Sequence, residues 1–212
     1  MYDRLRLIRF PMPIVDAVRQ AILTGWPRGI QLEQQRLGAH EFKLYGRPWL
    51  GQSVEAIPAR ILIMTVLSAL YHHGWYLLTA ADVSKKEQDK DSLFFRLGSP
   101  PSPTPFFAVS FNESDKLRLI GAPENLIEPV QQTIGRANIQ REEWRDNGAA
   151  YQLKLRGNPW WGSGDEAITA RVTLLALLDC FNSFGWELYA SIDISGESGS
   201  DTDSWFFRQK TQ

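Results

Sequence analysis

KLYGRPWLGQSVEAIPARILIMTVLSALYHHGWYLLTAADVS, residues Lys43–Ser84, decides the fold because the chain writes it a second time. Lys154–Ser195 reads KLRGNPWWGSGDEAITARVTLLALLDCFNSFGWELYASIDIS, and 17 of the 42 gap-free pairs are identical. Unrelated segments of ordinary composition would share roughly two to four. The match extends outward: DRLRLI (Asp3–Ile8) returns as DKLRLI (Asp115–Ile120), and DSLFFR (Asp91–Arg96) as DSWFFR (Asp203–Arg208). The chain is therefore read as a tandem duplication, with repeat 1 at 1–97, a Pro-rich linker at 98–105 and repeat 2 at 106–212.

Within each repeat, alternation predicts a strand at Leu5–Ile8 or Lys116–Ile120. After Pro11 or Pro123, apolar residues at helical spacing predict a helix over Val15–Leu23 or Leu126–Ile134. Gln31–Tyr45 reads as a hairpin or one long strand, and Gln152–Arg156 as the clearer strand of the second copy. The motif G-x-P-W-x-G (Gly46–Gly51, Gly157–Gly162) then breaks the chain before a strongly apolar helix, ended by Gly74 or Gly185. A helix apolar on almost every face is expected to be buried on more than one side. GW launches a strand at Trp75–Val83 or Trp186–Ile194, and DS-x-FFR makes the last one. The expected class is α+β: a β-α-β-α-β-β unit used twice, with helices on one face of mostly antiparallel sheets and a pseudo-two-fold arrangement.

The linker GSPPSPTP carries four prolines in eight residues, which predicts an extended spacer. FFAVSF (Phe106–Phe111) follows it and has no equivalent ahead of Asp3 in repeat 1. It can complete the first sheet, belong to the second or bridge the two, and bridging is the expectation.

A formal net charge of −1 argues against binding a phosphate backbone. A single cysteine, Cys180, rules out an internal disulfide and suits a reducing compartment. The opening MYDRLRLIRF lacks the apolar core of a secretory signal, and the apolar helix Ile57–Tyr71 carries Arg60 and reads as too short for a membrane span. These readings predict a cytoplasmic protein, nucleus left open, with no membrane span and no nucleic-acid partner. The adjacent His72 and His73 diverge by roughly 100° on a helix and do not chelate easily. The polar loops Lys85–Asp91 and Gly196–Asp203 lack calcium-loop spacing. No hydrolase, nucleotide-binding or metalloprotease motif is present, so no catalytic residue, metal or cofactor is assigned.

Two features ask for more than packing. The first is the tryptophan loop, with Trp49, Trp160 and Trp161. A glycine-rich entry to a helix can cradle an anion, yet Glu55, Asp165 and Glu166 occupy that turn. The loop reads instead as a cap with Trp as a packing lid, or as an aromatic contact surface. Trp161, whose counterpart is Leu50, is the residue expected to be exposed. The second feature is Arg60 and Arg171, each the lone charge within an apolar helix. A buried guanidinium needs partners, and Glu55 or Asp82, with Glu166 or Asp193 in the second copy, are available. The functional expectation is a non-catalytic protein-binding or scaffolding module using Trp49, Trp160, Trp161, Arg60 and Arg171, or an inter-repeat groove. The alternative is a small-ligand receptor or enzyme with an Arg-floored pocket for an anion. Homodimerisation through edge strands is a third reading.

Overall fold

A computed structural model describes residues 2–83, 91–194 and 203–211. The polar loops Lys85–Asp91 and Gly196–Asp203 therefore lie, apart from Asp91 and Asp203, outside the described residues. The described residues form two compact units, 2–103 with 192–194 and 104–191 with 203–211.

The first repeat runs β1 (Arg4–Ile8), α1 (Met12–Gly25), β2 (Ile30–Arg36), β3 (Ala39–Leu44), α2 (Ala56–His72), β4 (Trp75–Ala81) and β5 (Ser92–Leu97). The second runs β6 (Phe106–Asn112), β7 (Lys116–Ile120), α3 (Ile127–Ile134), β8 (Ile139–Arg145), β9 (Ala150–Leu155), α4 (Asp165–Ser183), β10 (Trp186–Ile192) and β11 (Ser204–Gln209). The protein is a duplicated α+β fold with antiparallel ladders. The shared unit holds one strand more than expected, because β2 and β8 each form a hairpin with the next strand. Strand β8 was hidden in IQREEWR, whose only large apolar residues are Ile139 and Trp144. It is held by its ladder to β9, whose Leu153 and Leu155 supply the core face.

Phe106–Asn112 does not bridge two sheets. It pairs with β7 on one side and β11 on the other, inside a six-stranded sheet ordered β10-β11-β6-β7-β9-β8. The tight return at Glu113–Asp115 brings β7 back alongside β6, and every residue of β6 is buried. A strand apolar or small along both faces is stable only where both faces are covered, which suits a central position. Phe107, Val109 and Phe111 enter a core completed by Leu177, Phe181 and Trp186. In the first unit the corresponding strands form two separate sheets, β1-β3-β2 and β4-β5.

The two long helices have diverged. Helix α2 buries Ile57, Leu62, Ile63, Val66, Leu67 and Leu70 among others, and it packs along the 14-residue α1. Helix α4 buries only Ala170, Leu177 and Phe181, so the expectation of a helix buried on more than one side fails there. Its companion α3 has 8 residues. At 1.5 Å per residue α3 reaches about 12 Å, against about 21 Å for α1, and covers less of its neighbour. Ser53–His72, at 20 residues and hydropathy 1.6, is long and apolar enough by composition to cross a membrane, contrary to the length expected. Half of it is buried inside the protein.

Candidate functional site

The two tryptophan loops are hooked down by the same bonds. Trp49 donates its backbone N–H to the Tyr2 carbonyl at 3.1 Å and its indole N–H to the Arg4 carbonyl at 2.7 Å. Trp160 repeats the pattern on Ser114 (3.1 Å) and Lys116 (3.0 Å), with its ring edge-on to Phe111 at 5.0 Å. An indole has one donor and a large apolar body, so it is stable as a lid whose N–H reaches a strand carbonyl beneath it. Trp49 is buried and Trp160 half-buried. Both form packing lids over the starts of β1 and β7, the first of the two readings of the loop. Trp161 alone projects, at 66% exposure.

The arginines part company. Arg60 is buried and donates through Nη1 to the carbonyls of Gly51 and Ala56, tying the loop to the first turn of α2. Gly51 has φ +57°, and a Cβ there would stand 2.7 Å from Arg60 Nη1, so the approach requires glycine. Glu55, one expected partner, instead meets Arg28 at 2.9 Å and accepts from the Arg47 backbone N–H at 3.3 Å. Arg171 is not a buried charge at all: it is exposed and bonds the Ala167 carbonyl of its own helix at 3.0 Å.

The helix entries differ in one further respect. Ser53 holds φ 51° where its counterpart Gly164 holds φ 55°. Serine in the left-handed region is strained by roughly 1–2 kcal/mol, and glycine is not. Ser53→Gly is expected to stabilise the first unit by up to about 1 kcal/mol, after the extra unfolded-state freedom of glycine is subtracted. A rise of several degrees in the thermal midpoint would be the readout.

A second cluster was not read from the sequence. Glu41 on β3 is 1% exposed and receives Arg4, Arg6 (2.6 Å) and Gln34 (2.8 Å). Burial pushes its carboxyl up, but the hydrogen bonds from Gln34, Arg6 and Arg4 outweigh that and hold it at about 2. In the second unit the carboxylate has crossed the ladder. Arg118 donates to Gln152 at 2.7 Å, and Gln152 donates to Glu143 at 3.0 Å. Gln34 opposes Glu41 and Glu143 opposes Gln152, so Gln–Glu has become Glu–Gln across equivalent pairs. Arg118, buried beside Gln152, has its pKa lowered, chiefly by desolvation. The repeat alignment was the signal that could have found this exchange. Among the described residues no group of three or more His, Cys, Asp or Glu could hold a metal.

The surface that stands out is on α4. Ile168, Val172 and Leu175 are 62%, 58% and 62% exposed, at the i, i+4, i+7 spacing of one helical stripe. Their counterparts Ile57, Ile61 and Met64 are buried or half-buried. Arg171 flanks the stripe and Asp179 ends it, both exposed.

No curated protein matches the chain. A crystal structure of a conserved kinetoplastid-specific protein from Trypanosoma cruzi matches at 21% identity and a TM-score of 0.37, covering 52% of this chain and 100% of that one. One domain family matches twice in succession, over residues 1–96 and 105–208. The two matches follow the duplication read from Lys43–Ser84 and Lys154–Ser195, and the chain belongs to that family, carrying its domain twice.

Proposed function

We infer that the protein is a non-catalytic protein-binding module that docks a partner on the apolar stripe of α4, with Trp161 at the stripe's entry. The observation that carries this reading is the exposure of Ile168, Val172 and Leu175 where repeat 1 shelters the same positions. Contiguous exposed apolar surface is costly in water and marks contact sites more often than chance. Tryptophan and arginine are enriched among residues that dominate binding energy, and Arg171 on α4 and Trp161, four residues before the helix begins, are both exposed. The buried arrangement of Arg60 on backbone carbonyls supports a structural role for it.

The test is affinity capture from the source cell with wild type and with Trp161→Ala/Leu175→Asp. Both residues are exposed, so the variant should fold with a change within about 0.5 kcal/mol. A partner held by wild type and reduced at least tenfold by the variant is the expected result. Equal retention by both proteins would reject the α4 surface.

A further inference from the structure

The β2–β3 hairpin of the first unit closes through Leu37 and Gly38, at φ 50° and 81°. A two-residue loop with both angles positive favours Asn-Gly, because a leucine Cβ crowds the backbone in the left-handed region. Leu37 stands there all the same, and it is 100% exposed. The second unit makes its equivalent turn through Asp146, Asn147 and Gly148, residue types that tolerate a positive φ. Repeat 1 thus holds an apolar side chain in solvent at a position where it strains the backbone. Packing gives no reason for it, and retained strain of this kind marks functional positions.

A second strained residue lies at the same end of the sheet. Arg9 follows β1 at φ 62° and is exposed, where its counterpart Gly121 turns at φ 66° without strain. The ladders fix the neighbourhood: Ile8 and Arg36 both pair with Ala39, from opposite sides, so they stand about 10 Å apart on one sheet face. Ile8 is 64% exposed, and Arg36 is exposed as well. Carboxylates of the same unit are already matched, Glu41 by Arg4 and Arg6, and Glu33 and Asp16 by Arg19. In the second unit Arg145 meets Glu143 at 3.5 Å, whereas Arg36, its counterpart, has Gln34 in place of that acid. This end of the first sheet is therefore aliphatic at its tips and cationic around them.

We propose that this end of the first unit docks on an anionic lipid surface. Leu37 and Ile8 enter the boundary between headgroups and acyl chains, and Arg9 and Arg36 meet the lipid phosphates and carboxylates. Burial of the two aliphatic side chains and attraction of the two guanidiniums to a negative surface act together. The aliphatic residues stand on a hairpin tip and a strand end rather than in a groove, and the flanking charges have one sign. That arrangement suits a fluid surface of opposite charge better than a shaped protein partner. Two aliphatic chains and two charges fall short of stable anchoring, so the contact is reversible and the chain lies on the bilayer without crossing it. This proposal is independent of the α4 stripe, which lies in the other unit.

The test is cosedimentation of the full chain with phosphatidylcholine vesicles, with and without phosphatidylserine. Wild type should bind the phosphatidylserine vesicles, and bind phosphatidylcholine alone at least about tenfold more weakly. Leu37→Asn should weaken binding at least about tenfold while raising the thermal midpoint, because Asn-Gly relieves the turn as the prong is removed. Arg9→Gly, which copies Gly121, should also weaken binding and leave the fold intact. No binding by wild type, equal binding by Leu37→Asn, or equal binding to the two kinds of vesicle would overturn the proposal. A lower midpoint for Leu37→Asn would overturn it too, since Leu37 would then serve the fold. An acidic protein captured by wild type and released by Leu37→Asn, with vesicles unbound, would assign the tip to a protein instead. Trp161→Ala/Leu175→Asp should bind vesicles as wild type does, and loss there would move the lipid contact to α4.

Discussion

Trp49→Ala and Trp160→Ala are expected to destabilise their units by about 4 and about 3 kcal/mol, while Trp161→Ala changes stability by no more than about 0.5 kcal/mol. The three residues share a motif, and the ordering comes from what each touches. Trp49 is buried, and truncation removes its apolar body and the indole bond to Arg4 at once. The Arg4 carbonyl then loses a donor under a new void, and both effects cost stability. Trp160 makes the equivalent bond and packs on Phe111 but retains partial exposure, so less area is lost. Trp161 stands in solvent. Urea unfolding of the three variants gives the comparison directly. A Trp160→Ala protein within about 1 kcal/mol of wild type would mean that the loop is not a lid.

The second large effect belongs to Glu41. Removing its carboxylate by Glu41→Ala should cost about 2–3 kcal/mol, because Arg4 and Arg6 lose a common buried acceptor. Both arginines keep some access to water, which places the cost below that of stranding a fully buried charge. Its acid dependence has a definite sign. The folded carboxyl sits at about 2, below the ordinary value of 4.5. Its stabilisation is therefore full above pH about 4.5 and is lost as pH falls towards about 2. Glu41→Gln should flatten that part of the acid-unfolding curve. Adding Gln34→Glu to Glu41→Gln rebuilds the Glu143–Gln152 arrangement of the second unit, so the double variant should be more stable than Glu41→Gln alone. A double variant less stable than the single would show that the two clusters are not interchangeable.

Much of the chain was legible before any coordinates. The repeat gave two copies, and helical spacing, GW and DS-x-FFR located the helices and the β4–β5 and β10–β11 strands. Strand β8 was not legible, because IQREEWR shows neither alternation nor an apolar run and is set by its ladder to β9. The place of Phe106–Asn112 was equally open, since an all-apolar strand can pair with any edge that reaches it. Among the candidate site residues, the repeated motif and helix singled out Trp49, Trp160, Trp161, Arg60 and Arg171, and comparison of the copies marked Trp161 as the tryptophan to be exposed. Three-dimensional placement made Trp49 and Trp160 lids, Arg60 a strut on backbone carbonyls, and Arg171 a surface charge.

The sequence alone determined that one α+β unit occurs twice, because period, punctuation and identity are local properties that survive divergence. Only the tertiary structure decided that Phe106–Asn112 sits inside the second sheet, and that α4 shows an apolar stripe its twin shelters. Both depend on which neighbours are present to cover a strand edge or a helix face. Burial is a relation between segments distant in the chain, and no single segment encodes it.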